Sequence, residues 1–167
     1  MKKTAIPPKL STLNNLGSEA SEAITAAINP LVADAFALYV KTKNFHWHLS
    51  GPHFRDYHLL FDEQAAQIFA SIDVLAERVR KLGGLTVHSI GQISQLQTIK
   101  DDNEPFVPAQ EMVRRLMEDN NHMAAQMRKA HKICDQYEDV ATASFLEVFI
   151  DEAERRTWFL FEIQVKE

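Results

Sequence analysis

Four of the seven histidines, His46, His48, His53 and His58, fall within thirteen residues, and acids follow at Asp56, Asp62, Glu63, Asp73 and Glu77. Imidazole and carboxylate are the donors that borderline and hard divalent metals share, so this crowding marks a candidate metal centre. His58 and Asp62 are four apart, as are Asp73 and Glu77, so on a helix each pair projects from adjacent turns of one side. Either pair alone is ordinary decoration of an exposed helix. Together they are not: with His58 at the origin of a helical wheel, Asp62 lies at about 40°, Asp73 at about 60° and Glu77 at about 100°, a single stripe. The apolar set Tyr57, Phe61, Ala65, Ile68, Ile72, Leu75 and Val79 centres about 110° away and is the expected core face. Between the acids lie Leu59, Ala66, Phe69, Ala70 and Ala76, a composition unlike a solvated surface.

Asp62 and Asp73 are about 16 Å apart along a helix axis, too far to share a metal whose ligand bonds are about 2 Å long. A second copy of the helix, antiparallel across a two-fold axis, removes the difficulty. Both the 58/77 pair and the 62/73 pair are centred between Gln67 and Ile68, so a two-fold there sets His58 opposite Glu77 of the partner subunit and Asp62 opposite Asp73 of the partner subunit. His46, at the end of the preceding helix, returns beside His58 in an antiparallel hairpin and is the expected third ligand from the same chain. Two imidazoles and three carboxylates suit iron, manganese or zinc better than copper(I) or calcium. Carboxylates also stabilise ferric over ferrous iron, which tilts the site toward oxidising Fe(II).

These residues need long helices, and the chain supplies them. Its 167 residues suit one domain, the hydrophobic share is 46%, and only 5 Gly and 6 Pro are present, too little turn chemistry for a β-sandwich and too much apolar content for disorder. Residues 1–17 carry Lys2, Lys3 and Lys9 and a Pro7-Pro8 pair, and read as a flexible basic tail before a domain spanning 18–167. Three- and four-residue apolar steps run over residues 18–49, with Pro30 expected to divide a short helix from a long one. A second helix begins near Phe54 and ends at Gly83-Gly84, with Arg78, Arg80 and Lys81 in its last turns. A crossover holding one short helix around residues 93–96 leads to helices over 109–137 and 139–163, the last with Asp139 as its cap. The expected fold is all-α: a four-helix bundle with a long connection between helices two and three. A single cysteine, Cys134, excludes an intrachain disulfide. The lack of a twenty-residue uncharged apolar stretch or secretory signal predicts a soluble, cytoplasmic protein with no membrane partner. Formal charge of −5 argues against a body that coats nucleic acid unaided.

The stretch over residues 43–84, KNFHWHLSGPHFRDYHLLFDEQAAQIFASIDVLAERVRKLGG, closely resembles the signature of the Dps family of mini-ferritins in the ferritin-like superfamily, the DNA-binding proteins from starved cells. The matching features are His46-Trp47, Gly51, Phe54, His58, Asp62, Asp73 and the Ala76-Glu77-Arg78 run before Gly83-Gly84, and the likeness extends to Trp158. The resemblance implies a shell of twelve subunits, built from two-fold dimers, that acts as a ferroxidase: it oxidises Fe2+, preferably with hydrogen peroxide, and stores the Fe3+ product as mineral. It assigns His46, His58 and Asp62 as ligands from one subunit and Asp73 and Glu77 as ligands from its mate. Trp47 matches an aromatic beside the site that intercepts stray oxidising equivalents, with plain hairpin packing an equal alternative. Removing peroxide with iron would protect DNA whether or not DNA is bound, and binding places the protein at the nucleoid.

One departure concerns iron entry. Many relatives carry an acid near the start of the last helix, where this chain has Ser144; Asp139, Glu147 or Asp151 are the substitutes, although acids there also serve as caps. His48 and His53 do not join the stripe, and Asp119 with His122 is an isolated pair. The Glu-x-x-His pairs of an intrasubunit di-iron bundle are absent. Met112, Met117, Met123 and Met127 read as core and contact residues, and Cys134 as buried and inert. The competing functions are a DNA-condensing shell whose metal site is structural, served weakly by Lys2, Lys3 and Lys9 acting multivalently, and a zinc-only oligomer.

Overall fold

The computed structural model describes residues 7–165. Its first long element, α1 (Ser18–His48), buries Ala20, Ile24, Ile28, Leu31, Val32, Ala35, Leu38 and Phe45 at three- and four-residue steps. The expected division at Pro30 is not found, because α1 runs through it unbroken. Proline removes one helical hydrogen bond, a loss of roughly 3 kcal/mol in an unsupported helix. Here Ile28, Leu31 and Val32 are fully buried on both sides of it, each contributing roughly 1.5 to 3 kcal/mol. Asn29 Nδ2 also donates to the Leu85 carbonyl at 2.8 Å.

Helix α2 (Phe54–Lys81) follows a sharp turn in which Gly51 has φ +102° and His53 φ +62°. Tyr57, Phe61, Ala65, Ile68, Ile72, Leu75 and Val79 are all buried, so the predicted core stripe is the observed one. The helix ends as its glycines direct: Gly83 takes φ +82°, and Gly84 N donates to the Val79 carbonyl at 3.0 Å, the six-to-one bond of a Schellman cap. At Gly84 the side chain of Thr25 occupies the space a Cβ would need.

The crossover contains α3 (Ile90–Leu96), capped by Ser89. It docks on α1 through Asp34, a fully buried carboxylate that accepts from Thr98 Oγ1 at 2.7 Å and Ile99 N at 2.9 Å. Helices α4 (Ala109–Gln136) and α5 (Val140–Glu162) complete the architecture. The pairs α1·α2 and α4·α5 form two hairpins that close on each other through α1·α4 and α2·α5, with α3 against α1. Among the described residues there is no strand, and the all-α four-helix bundle with a long crossover is the fold.

Asp139 caps α5 by accepting from Thr142 N at 3.1 Å and also accepts from Arg78 Nη2 at 2.7 Å, tying the end of α2 to the start of α5. Within the tail expected over 1–17, part of the segment is hydrogen-bonded to the bundle. Thr12 Oγ1 donates to the Arg80 carbonyl and Asn14 Nδ2 to the Leu82 carbonyl, both at 3.0 Å, while Arg80 Nη2 donates to the Leu10 carbonyl at 2.7 Å. These bonds bind residues 10–14 to the end of α2; Lys2 and Lys3 lie outside the described residues, and Lys9 is exposed. Among the described helices only α1 is long and apolar enough to cross a membrane. Its Asp34 and Lys41 are buried against protein partners, Lys41 pairing with Asp119 at 2.6 Å, as suits a core helix.

Candidate metal centre

The α1–α2 hairpin sets the last turn of α1 beside the first turns of α2. There His46 Nδ1 lies 2.8 Å from the His58 carbonyl, and His58 Nδ1 lies 3.0 Å from the His46 carbonyl. A carbonyl only accepts, so both Nδ1 atoms carry a proton and Nε2 is the atom whose lone pair each neutral ring offers. The rings stack with centroids 3.7 Å apart and planes 22° from parallel, and Phe54 stacks on His58 at 5.0 Å. A backbone bond behind each ring is the device that fixes tautomer and direction in metal-binding histidines.

Asp62, one turn beyond His58, brings Oδ1 to 4.0 Å from His46 Nε2. The same oxygen accepts from Lys43 Nζ at 2.6 Å. Lys43 holds the Asp62 carboxyl below the usual carboxylate range, chiefly by that hydrogen bond, which outweighs the opposing effect of desolvation, while the Lys43 charge adds a smaller pull. Its ammonium also sits over the Trp47 ring, 5.8 Å from the centroid, and Trp47 is itself exposed. The structure therefore brings together His46, His58, Asp62 and Trp47, and adds Lys43, which sequence reasoning passed over. The signal was available: Lys43 precedes His46 by three residues and shares its helix face.

Asp73 and Glu77 lie farther along α2, both exposed, with Glu77 paired to Lys81 at 3.1 Å. They do not meet the histidines within the chain. Among the described residues no group of three or more His, Cys, Asp or Glu side chains is placed to hold a metal alone. Around both clusters the outward face of α2 exposes Leu59 to 50% and Phe69 to 55%, with Ala66 and Ala70 also open.

The remaining candidates have other partners. His48 Nδ1 contacts the Asn44 carbonyl at 2.9 Å, His53 approaches Asp56 at 3.9 Å, and His122 meets Thr98 Oγ1 at 2.7 Å. Asp119 is engaged by Lys41. Of the substitutes for an acid at Ser144, Asp139 is withdrawn: it is buried and committed to the cap and to Arg78. Ser144, Glu147 and Asp151 are exposed, Glu147 within 3.1 Å of His131 Nε2. Cys134 is fully buried, and desolvation, its largest influence, pushes the thiol up to about 12.

Comparison with known proteins agrees with this fold. The ferritin-like domain family matches residues 25–166. An uncharacterised low temperature-induced protein of Nostoc is 34% identical over 146 residues, covering 87% of this chain and 82% of its own. The DNA protection during starvation protein of Brevibacillus brevis is 31% identical over 137 residues, covering 82% and 91%. Among solved structures, Dps from Thermosynechococcus elongatus superposes with a TM-score of 0.86 at 28% identity, over 89% of this chain and 94% of that one. The chain belongs to the ferritin-like domain family and, within it, to the Dps proteins.

Proposed function

We propose that this protein is a ferroxidase that oxidises Fe(II), preferentially with hydrogen peroxide, at centres shared by two subunits, and retains the ferric product as mineral inside a twelve-subunit shell. One observation carries the proposal: the reciprocal Nδ1–carbonyl bonds of His46 and His58 aim two imidazole lone pairs beside Asp62, on a helix face flanked by exposed apolar side chains. A second copy, antiparallel about a point between Gln67 and Ile68, covers Leu59 and Phe69 and delivers Asp73 and Glu77 of the partner subunit to complete the donor set. Nitrogen and oxygen donors in that proportion fit iron.

Fe(II) is the substrate. Each peroxide accepts two electrons, one from each of two Fe(II); its O–O bond breaks, and with two protons it leaves as two waters. Two-electron reduction of this kind releases no hydroxyl radical, which is how the chemistry protects DNA, the role named for the Brevibacillus relative. Trp47, exposed beside Lys43, is placed to take up a stray oxidising equivalent. Glu147 and Asp151 on α5 supply the negative field for iron entry. The protein acts in the cytoplasm, and Lys2, Lys3 and Lys9 give it a weak hold on DNA.

Anaerobic Fe(II) loading followed by a peroxide pulse tests the proposal. His58→Ala and Asp73→Ala should each slow oxidation at least about tenfold, about 1.4 kcal/mol in barrier height. Equal rates in all three proteins would remove the ferroxidase assignment.

A further inference from the structure

Three polar side chains occupy core positions between α2, α4 and α5. Gln64, Asn120 and Arg156 are exposed by only 2%, 0% and 5%. Arg156 Nε donates to Asn120 Oδ1 at 2.7 Å, and Asn120 Nδ2 donates to the Leu116 carbonyl at 2.8 Å. Gln64 Nε2 reaches the Arg156 carbonyl at 3.5 Å, the outer limit of a hydrogen bond. Two buried atoms are left without a partner in the protein, and they are of opposite kind: Arg156 Nη1, a donor, and Gln64 Oε1, an acceptor. Burying either one unsatisfied is expensive, the charged one more so. Burial already draws the Arg156 guanidinium down to about 10, with the field of Glu152, a turn earlier on α5, opposing the shift.

The donor and acceptor pattern restricts what could satisfy both atoms. A halide would accept from the guanidinium but confront the amide oxygen with like charge. A metal cation would suit the amide oxygen but not the guanidinium. A hydroxylic molecule of water size does both, accepting from one side and donating to the other. We propose that this core holds buried water bridging Arg156 Nη1 to Gln64 Oε1, so that α2 and α5 are joined by a hydrated polar network rather than by apolar contact alone.

Crystallography of the intact assembly and a double-mutant cycle test this together. Wild-type density should show ordered water about 2.7 to 3.1 Å from both atoms, with no anomalous peak there after a bromide soak. Gln64→Leu and Arg156→Met should each lower the apparent Tm by roughly 4 °C or more, and the double variant should fall no further than the worse single, because one shared water is lost in all three. A bromide peak at Nη1, direct contact between the two side chains in wild-type density, or strictly additive Tm losses would each overturn the proposal. The wild-type density decides the matter even where a variant fails to fold.

Discussion

At one end of the outward stripe of α2, the donors are fixed by the chain itself. His46 and His58 exchange bonds with each other's carbonyls, stack face to face, and sit beside an Asp62 whose carboxyl Lys43 holds below its usual range. Eleven residues farther on, Asp73 and Glu77 stand exposed, Glu77 held only by a lysine on the next turn. An imidazole has one productive lone pair and must be aimed, whereas a carboxylate offers two oxygens and tolerates several approaches. On the proposed function, the chain preorganises the donors that need it and leaves the others to be positioned by assembly. The proposed shared centre would thereby link metal binding to the state of an α2–α2 contact.

Three measurements bear on this contrast. The largest effect is a control on folding. With its thiol pushed up to about 12 from an ordinary 9.0, Cys134 at pH 8 should react with a thiol reagent ~1,000-fold more slowly than an exposed cysteine, from thiolate fraction alone. Any variant in which Cys134 labels rapidly has lost its bundle and says nothing about the centre. Phe69→Glu sets like charges against each other across the two-fold, and should raise the dimer dissociation constant at least about a hundredfold, read by analytical ultracentrifugation; iron oxidation should be lost with it although all five proposed ligands remain. Unchanged association would separate the acids from the interface. Lys43→Met gives the smallest change. Freeing Asp62 from a solvent-accessible ion pair should tighten Co(II) binding by up to about fivefold, measured by titration of the visible ligand-field bands. Weaker binding would instead make Lys43 the residue that orients Asp62.

Helix α2 was legible in the sequence almost to the residue because three signals agree there: a core stripe at helical spacing, basic residues in its last turns, and paired glycines at its end. The candidate ligands followed from the same periodicity, and the buried faces of α4 and α5 likewise. Pro30 misled because local backbone chemistry opposes the helix at that point while apolar contacts from distant parts of the chain hold it, and a reading along the chain cannot weigh those contacts. Lys43 and Arg156 were missed for a related reason. Each is ordinary by type, and each becomes informative only when the carboxylate or amide beside it is known. Asp139 illustrates the converse: it satisfied both a capping pattern and a pore-acid pattern, and only Arg78, sixty-one residues away, decides between them.

Complementation between inactive subunits tests the shared centre most directly. When His58→Ala and Asp73→Ala chains are co-expressed in equal amounts, a mixed dimer has one centre lacking both contributions and one with every ligand intact. Random pairing makes half the dimers mixed, so peroxide-driven Fe(II) oxidation should recover to about a quarter of the wild-type rate, well above either variant alone. No recovery in properly assembled mixed particles would mean that each centre lies within one chain, contrary to the account given.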